Sequence, residues 1–411
     1  MSVIKDYMSK IETQGFQDSD MFVCAGCIGD KYISTLIKNS HKKGKCSFCN
    51  KTRNIVSLNE VLSIIVDTIR RYYLPADGNA IWDDECKWFL DSGVCDHYDF
   101  VHYTLSSYLQ IDNEELINEI QEKLNDDLRI PKSSIIQTLE DELVTQWKRY
   151  CESIKKLENM RSDAIISMIR DDCRFNDSNN NINFELSMIA DTLETVVIFC
   201  QELKLIKFFP YSKDRGCIPE IYRAVNYISK KNNSFELTRI DASEIGTPPA
   251  EKAKDNRMSE ANEMVFYGAS DIETAKKEIG KKDKNPFTVG HFITNKRLKI
   301  LDLSEISDNM IPSIFEPDSE EKRNCFGFLR EFTYLISEEK KEYDAHFYKP
   351  TQVFTKYVKT VLGVQGIKYR SSKGNGYCYA LFVNNSDCIN SYDLINKNRN
   401  QLIMTKIEQV D

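Results

Sequence analysis

Four cysteines stand in two CxxC pairs, Cys24 with Cys27 and Cys46 with Cys49, with eighteen residues between the pairs. Two tight knuckles of thiolates complete the tetrahedral coordination of a zinc ion with no other ligand, so the expected metal is structural Zn²⁺ in a closed site. Gly26 and Gly44 sit where the turns need them. A thioredoxin-type redox motif would need only one such pair, in a βαβ setting. Between the knuckles lie Lys31, Lys38, Lys42, Lys43 and Lys45. A basic ribbon of this kind can touch nucleic acid, but the formal net charge of −8 and sequence pI near 5.4 favour a solvated face.

A second set of residues is spread over a loop, a strand and a helix. The segment TPPAEKAKDNRMSEANEMVFYGASDIETAKKEIG (247–280) places Arg257 in a polar loop, Tyr267 at the end of a strand and Glu278 about two turns into a helix. Ser270, with Glu273 three residues on, reads as the capping box of that helix. Thr274 and Ala275 share the face of Glu278, and their small side chains leave room for a ligand. A cation, a phenol and a carboxylate are parts of a binding pocket. Taken alone, an Arg and a Glu this close are more often a surface ion pair.

The elements that must hold these residues fall into three regions. Residues 54–75 read as a helix, with Val56, Leu58, Val61, Leu62, Ile65 and Ile69 near a 3.6-residue period, ended by Pro75. Further helices are expected over 113–128, over 133–163 with Ser133 or Ser134 at its cap, and over about 185–205. DSNNNIN (177–183) reads as a polar loop and FFPYSKDRG (208–216) as a linker. Short strands follow: IYRAVNY (221–227), MVFYGA (264–269), FTVGHFIT (287–294), LKILDL (298–303), IKYRSS (367–372) and YALFVN (379–384). The expected class is α+β: a zinc-binding four-cysteine element (1–53), a helical middle domain (54–210) and a mixed α/β C-terminal domain (211–411).

Composition agrees with several globular domains: 411 residues, 41% hydrophobic and 29% charged. The segment MSVIKDYMSKIETQG lacks an apolar signal core, and no run approaches eighteen apolar residues. A cytoplasmic protein with reduced thiols is expected, without membrane association. The acidic balance argues against nucleic acid as a partner. His291 and His346 fit no triad or metal pattern and read as structural; Cys325, Cys378 and Cys388 read as small apolar residues.

The pattern around 248–278 resembles the core of the RES family, named for an Arg, a Glu and a Ser. Arg257, Tyr267 and Glu278 follow the family spacing at ten and eleven residues. Arg223 in IYRAVNY resembles the family's early Tyr-Arg-Ala strand, and VGHFITNKRLKILDLS (289–304) its following strand pair. REFTYLISEE (330–339) and YKPTQVFTKYV (348–358) resemble its later helices. GIKYRSSKGNGYCYALF (366–382) resembles the segment carrying the serine, which the register puts at Ser371, with Ser372 beside it as the alternative. Asn256-Arg257-Met258 departs from the family's Gly-Arg-Trp, and Arg370 from its proline. More loosely, the cysteine block and helical stretch resemble the HEPN-class region fused to some RES domains. The Arg-x(4–6)-His motif of HEPN ribonucleases precedes none of His41, His97, His102, His291 or His346.

The resemblance implies an ADP-ribosyltransferase-like fold that takes NAD⁺ as substrate and cleaves its nicotinamide–ribose bond. It implies that Glu278 stabilises the ribosyl cation or holds a ribose hydroxyl and orients the acceptor, that Arg257 and Arg223 pair with the pyrophosphate, that Tyr267 packs against the nicotinamide ribose or ring, and that Ser371, or Ser372 in its place, hydrogen-bonds NAD⁺. No GxGxxG follows a strand, which excludes Rossmann-type binding. Water as acceptor makes a glycohydrolase, phosphate a phosphorylase, a protein side chain an ADP-ribosyltransferase; the residues leave this open. The family further implies a toxin in a toxin–antitoxin or phage-defence setting, restrained by an antitoxin, an inhibitory partner or its own N-terminal region. The rival reading is a non-catalytic zinc-ribbon and helical binding protein. Homo-oligomerisation is left open.

Overall fold

The computed structural model describes residues 2–89, 93–127, 129–132, 139–170, 181–209, 219–226, 240–280, 286–338 and 345–411. Packing of the backbone divides the chain into two compact units: residues 1–142 with 311–323, and residues 143–310 with 324–411.

The first unit begins with α1 (Ser2–Gln14). Strands β1 (Phe22–Cys24), β2 (Lys43–Lys45) and β3 (Thr52–Ser57) form an antiparallel sheet with β3 in the middle, and α2 (Lys31–Lys38) packs on β3. Helix α3 (Leu58–Tyr72) starts later than its apolar period suggests, because residues 54–57 belong to β3. Ser57 caps it: its hydroxyl accepts from Asn59 N, and Glu60 reaches back to Ser57 N, at 3.3 Å each. Helix α4 (Glu114–Lys123) is capped by Asn113, whose side chain accepts from Leu116 N at 2.9 Å. Two short antiparallel pairs complete the unit, β4 (Tyr73–Pro75) with β7 (Arg129–Pro131) and β5 (Trp82–Asp83) with β6 (Trp88–Phe89).

The expected boundary at residue 53 differs from this packing. Val23, Ile33 and Ile37 share one core with Leu58, Leu62, Ile65, Leu116 and Ile120, and buried Cys24 and Cys46 belong to that same core. The four-cysteine element has too few apolar residues to bury a core of its own and uses that of the helices.

The second unit contains α5 (Leu139–Lys156) from Leu143 on, α6 (Ser162–Arg170) and α7 (Asn181–Glu202). The expected boundary near 210 therefore also differs. Trp147 and Tyr150 of α5 meet Phe328 edge-on at 4.8 and 5.0 Å, and Tyr150 donates to the Pro350 carbonyl at 2.9 Å. Phe328 lies on α9 (Ser319–Ser337) and Pro350 on α10 (Lys349–Val361). Gly327 allows the close approach: a Cβ there would lie 1.5 Å from the Leu143 carbonyl oxygen. The expected caps Ser133 and Ser134 lie outside the described residues, as do 177–180 of the expected polar loop and 210–216 of the expected linker; 181–183 open α7 and 208–209 lie in a strand.

The remainder is a nine-stranded mixed sheet in the order β15-β16-β11-β9-β10-β14-β13-β12-β8. Its strands are β8 (Ile206–Phe209), β9 (Ile221–Asn226), β10 (Phe266–Ala269), β11 (Phe287–Thr294), β12 (Leu298–Asp302), β13 (Gly366–Arg370), β14 (Tyr377–Leu381), β15 (Cys388–Asn390) and β16 (Leu402–Val410). Pairs β12–β13 and β15–β16 are parallel and the others antiparallel. Phe266, Phe292, Ile300 and Leu381 fill one core of this sheet, and Ala224, Ala269, Val289 and Ala275 another. Ala275 belongs to α8 (Ile272–Ile279), the helix that carries Glu278. The whole is mixed α/β, with a helix-rich middle and a C-terminal mixed sheet. No helix among the described residues is long and apolar enough to cross a membrane.

Candidate active site

Helix α8 is started by Asp271, one residue after the expected cap. Its carboxylate accepts from Thr274 N at 2.7 Å and from the Thr274 hydroxyl at 2.9 Å. Ser270 instead ties the sheet to this cap: its hydroxyl donates to Asp271 Oδ2 and accepts from Tyr377 N, both at 2.9 Å. An aspartate at this position also places negative charge at the positive end of the helix.

The segment 371–376, between β13 and β14, lies along α8. A Cβ on Gly376 would stand 2.1 Å from Asp271 Oδ2, so glycine is needed where the segment crosses the cap. At its other end, Ser371 donates to Glu278 Oε1 at 2.5 Å. The Ser371 hydroxyl is itself fixed by the backbone N–H groups of Lys373 and Gly374, at 3.1 and 3.0 Å. Cys378 on β14 donates its thiol to the same Oε1 at 3.3 Å. Burial, reinforced by the Glu278 charge, pushes the Cys378 thiol up, which keeps it the protonated donor.

Glu278 lines a cleft of about 450 Å³ together with Arg223, Arg257, Tyr267, Tyr369, Lys373 and Cys378. Burial raises Tyr267 to about 12 and Tyr369 well above the usual phenol range, so both phenols stay neutral. The Tyr267 hydroxyl lies 3.4 Å from Ser259 Oγ.

Arg257 sits in the loop where Asn256-Arg257-Met258 replaces the expected Gly-Arg-aromatic pattern. Side chains of α10 fix that loop: Thr351 donates to the Arg257 carbonyl at 2.5 Å, and Gln352 to the carbonyls of Asn256 and Ser259 at 2.8 and 3.1 Å. Met258 is buried beneath it. The Arg257 guanidinium donates to the Ile336 carbonyl at 2.8 Å. Next to the loop, buried Glu260 accepts from Lys349 at 2.5 Å and from the backbone and hydroxyl of Ser162 at 2.9 Å each.

Arg223 is more deeply engaged than the sequence suggests. It donates to the carbonyls of Ile245 at 2.8 Å and Tyr267 at 2.6 Å, and lies over the Phe266 ring, 5.4 Å from its centroid. It braces β9 against β10 while lining the cleft. Ser372 is exposed, and its hydroxyl donates to the Ser337 carbonyl, away from Glu278. Of the adjacent serines, Ser371 is thus the one that meets the carboxylate. His291 bridges Glu220 and Glu408 at 3.1 and 2.7 Å, as a satisfied structural histidine. The side chain of His346 lies outside the described residues.

Arg223, Arg257, Tyr267, Glu278 and Ser371 therefore converge, although 148 residues separate the first from the last. Sequence reasoning missed Cys378, Tyr369 and Lys373. Alternation along β13 and β14 would have placed Tyr369 and Cys378 among the residues pointing to one side or the other, but pattern alone does not say which side holds the cleft.

The four cysteines also converge. Cys24 lies 3.9 Å from Cys27 and 3.6 Å from Cys49, sulfur to sulfur, and Cys27 lies 3.8 Å from Cys46. All four sulfurs fall within 4.8 Å of one another. Zn–S bonds of about 2.3 Å in a tetrahedron put sulfurs about 3.8 Å apart, so the donor set fits a metal ion. Burial raises the Cys24 and Cys27 thiols, while the Lys51 backbone N–H holds Cys49 at about 7.

Residues 232–397 match the sequence model of the RES domain, and residues 39–159 that of HEPN/RES N-terminal domain 1. The first match contains Arg257, Tyr267, Glu278, Ser371 and Ser372 but begins after Arg223; the second contains Cys46 and Cys49. No curated protein and no solved structure matched the chain.

Proposed function

We propose, from the premise that the chain belongs to the RES domain family and carries an adjoining HEPN/RES N-terminal domain, that it cleaves the nicotinamide–ribose bond of NAD⁺. The observation that carries this reading is the Glu278 carboxylate on the wall of the cleft, its Oε1 held by Ser371 and Cys378. No hydrogen bond within the described residues engages Oε2, which is the oxygen left to face the substrate.

The bond breaks through an oxocarbenium-like ribosyl cation, as in glycoside hydrolysis. Nicotinamide carries its positive charge before it leaves, so departure needs no general acid. The neutral phenols and thiol around Glu278 suit this chemistry, since the carboxylate is the group that stabilises the developing cation. Arg257 and Lys373 supply cations for the pyrophosphate, Tyr267 packs against the nicotinamide end, and Arg223 acts mainly by bracing the two strands. Ser371, assigned to the substrate by resemblance, here serves as a positioning residue for Glu278. The mixed sheet suits the ADP-ribosyltransferase-like fold the family implies.

Cys24, Cys27, Cys46 and Cys49 would hold a structural zinc ion, which closes the ribbon and supplies no catalytic chemistry. The domain pairing accords with an NAD⁺-cleaving toxin of toxin–antitoxin or phage-defence type. An antitoxin or inhibitory partner would then restrain it.

The test is NAD⁺ loss by the full chain, with and without phosphate, beside Glu278→Gln. Removing the carboxylate is expected to slow cleavage by about 100- to 1,000-fold. ADP-ribose as product makes the enzyme a glycohydrolase, its phosphorylated form a phosphorylase, and label on protein a transferase. Equal rates for wild type and variant would sink the assignment of Glu278.

A further inference from the structure

From Lys31 to Asn59 the chain carries Lys31, Lys38, Lys42, Lys43, Lys45, Lys51 and Arg53 and not one aspartate or glutamate. In a chain of net charge −8 this is a segregation of charge, and the whole-chain balance says nothing about such a surface. The fold brings Lys38, Lys43 and Lys45 together along β2. Lys43 and Lys45 sit on β2, the edge strand of the ribbon sheet, paired with Asn54 and Thr52. Lys38 ends α2, and its carbonyl accepts from the Asn54 side chain at 2.7 Å. Lys51 and Arg53 flank Thr52, but Arg53 is the register partner of Gly44 and so lies on the opposite face of the ribbon from Lys43 and Lys45. All seven cations are exposed. Among the described residues, no ion pair engages Lys38, Lys43, Lys45, Lys51 or Arg53.

The surface also lacks an anchor for a folded partner. Among the described residues, no large hydrophobic side chain between 31 and 59 is exposed. Protein interfaces draw most of their energy from a few buried aromatic, aliphatic or arginine anchors. Lysines on a polar surface instead match a ligand that carries a line of negative charge. We propose that the β2 edge of the four-cysteine ribbon binds the phosphate backbone of nucleic acid, without reading its sequence. This inference does not depend on the reaction assigned to the cleft.

The experiment is fluorescence anisotropy of a labelled single-stranded RNA with the zinc-loaded full chain over a salt series. With about five cations on phosphates, affinity falls on the order of 100-fold between about 50 and 200 mM salt. Lys38→Gln, Lys43→Gln and Lys45→Gln together should reduce that fall to about 7-fold. Zinc content and thermal unfolding verify that the variant is intact. A second variant, Lys43→Gln with Lys51→Gln, should lower the logarithmic salt slope by about 1.4 should the triple variant not fold. Absence of binding at the lowest salt, an unchanged slope in the intact variant, or displacement of the RNA by polyglutamate at equal charge would overturn the proposal. The last of these would point to an acidic protein instead.

Discussion

Ser371 donates its hydroxyl proton to Glu278 Oε1 at 2.5 Å, across 93 residues of sequence, while two backbone N–H groups hold the serine oxygen from behind. Loss of that contact leaves the carboxylate, among the described residues, with the Cys378 thiol as its remaining side-chain donor. A carboxylate displaced by about 1 Å can cost about 100-fold in rate.

Ser371→Ala is therefore expected to lower kcat for NAD⁺ cleavage by about 10- to 100-fold with a smaller change in KM. Cys378→Ser keeps a donor and should stay within a few-fold of wild type, whereas Cys378→Val should behave like a milder Ser371→Ala. Steady-state kinetics on the three variants checks this. A rise in KM with kcat unchanged in Ser371→Ala would return the serine to the substrate.

The Glu260–Lys349 pair stands beside the Arg257 loop and should set an acid limit to stability. Burial alone would raise Glu260, but Lys349 and the Ser162 donors outweigh it and hold the carboxyl below its usual value of 4.5. A depressed carboxyl stabilises the fold above its unfolded pKa, and that stability is lost as pH falls through the folded value. Resistance to unfolding by urea should thus weaken progressively below about pH 4.5, the unfolded-chain value. Lys349→Met leaves a buried charge without its main partner and should cost about 3–5 kcal/mol at neutral pH. A variant as stable as wild type there would show that Glu260 carries no charge.

Metal removal should reach beyond the ribbon, because Cys24 and Cys46 lie in the same core as Leu58, Leu62 and Ile65. Chelation, or Cys46→Ser, is expected to abolish the cooperative unfolding of residues 1–142 rather than loosen the knuckles alone. Calorimetry with and without a strong zinc chelator checks this. Identical transitions would mean that the thiols hold the element together without an ion.

The sequence by itself determined the local chemistry. Two CxxC pairs eighteen residues apart point to one four-sulfur cluster, and local pattern puts Arg257, Tyr267 and Glu278 on loop, strand and helix. It also placed six of the sheet strands, since runs such as FTVGHFIT are apolar enough to be buried on both faces. It did not reveal β8, whose Phe208 and Phe209 fall in the expected linker, or β15 and β16, which join the sheet by pairing with each other and with β11. Nor could it divide the chain, because Trp147, Tyr150 and Phe328 form one cluster only when α5 lies on α9. Only the tertiary structure decided that Ser371 rather than Ser372 meets Glu278, that Cys378 is a donor to the carboxylate and that Arg223 is a brace. Adjacent residues past the end of a strand point in different directions, and hydrogen bonds across the sheet are set by register, which no local pattern encodes.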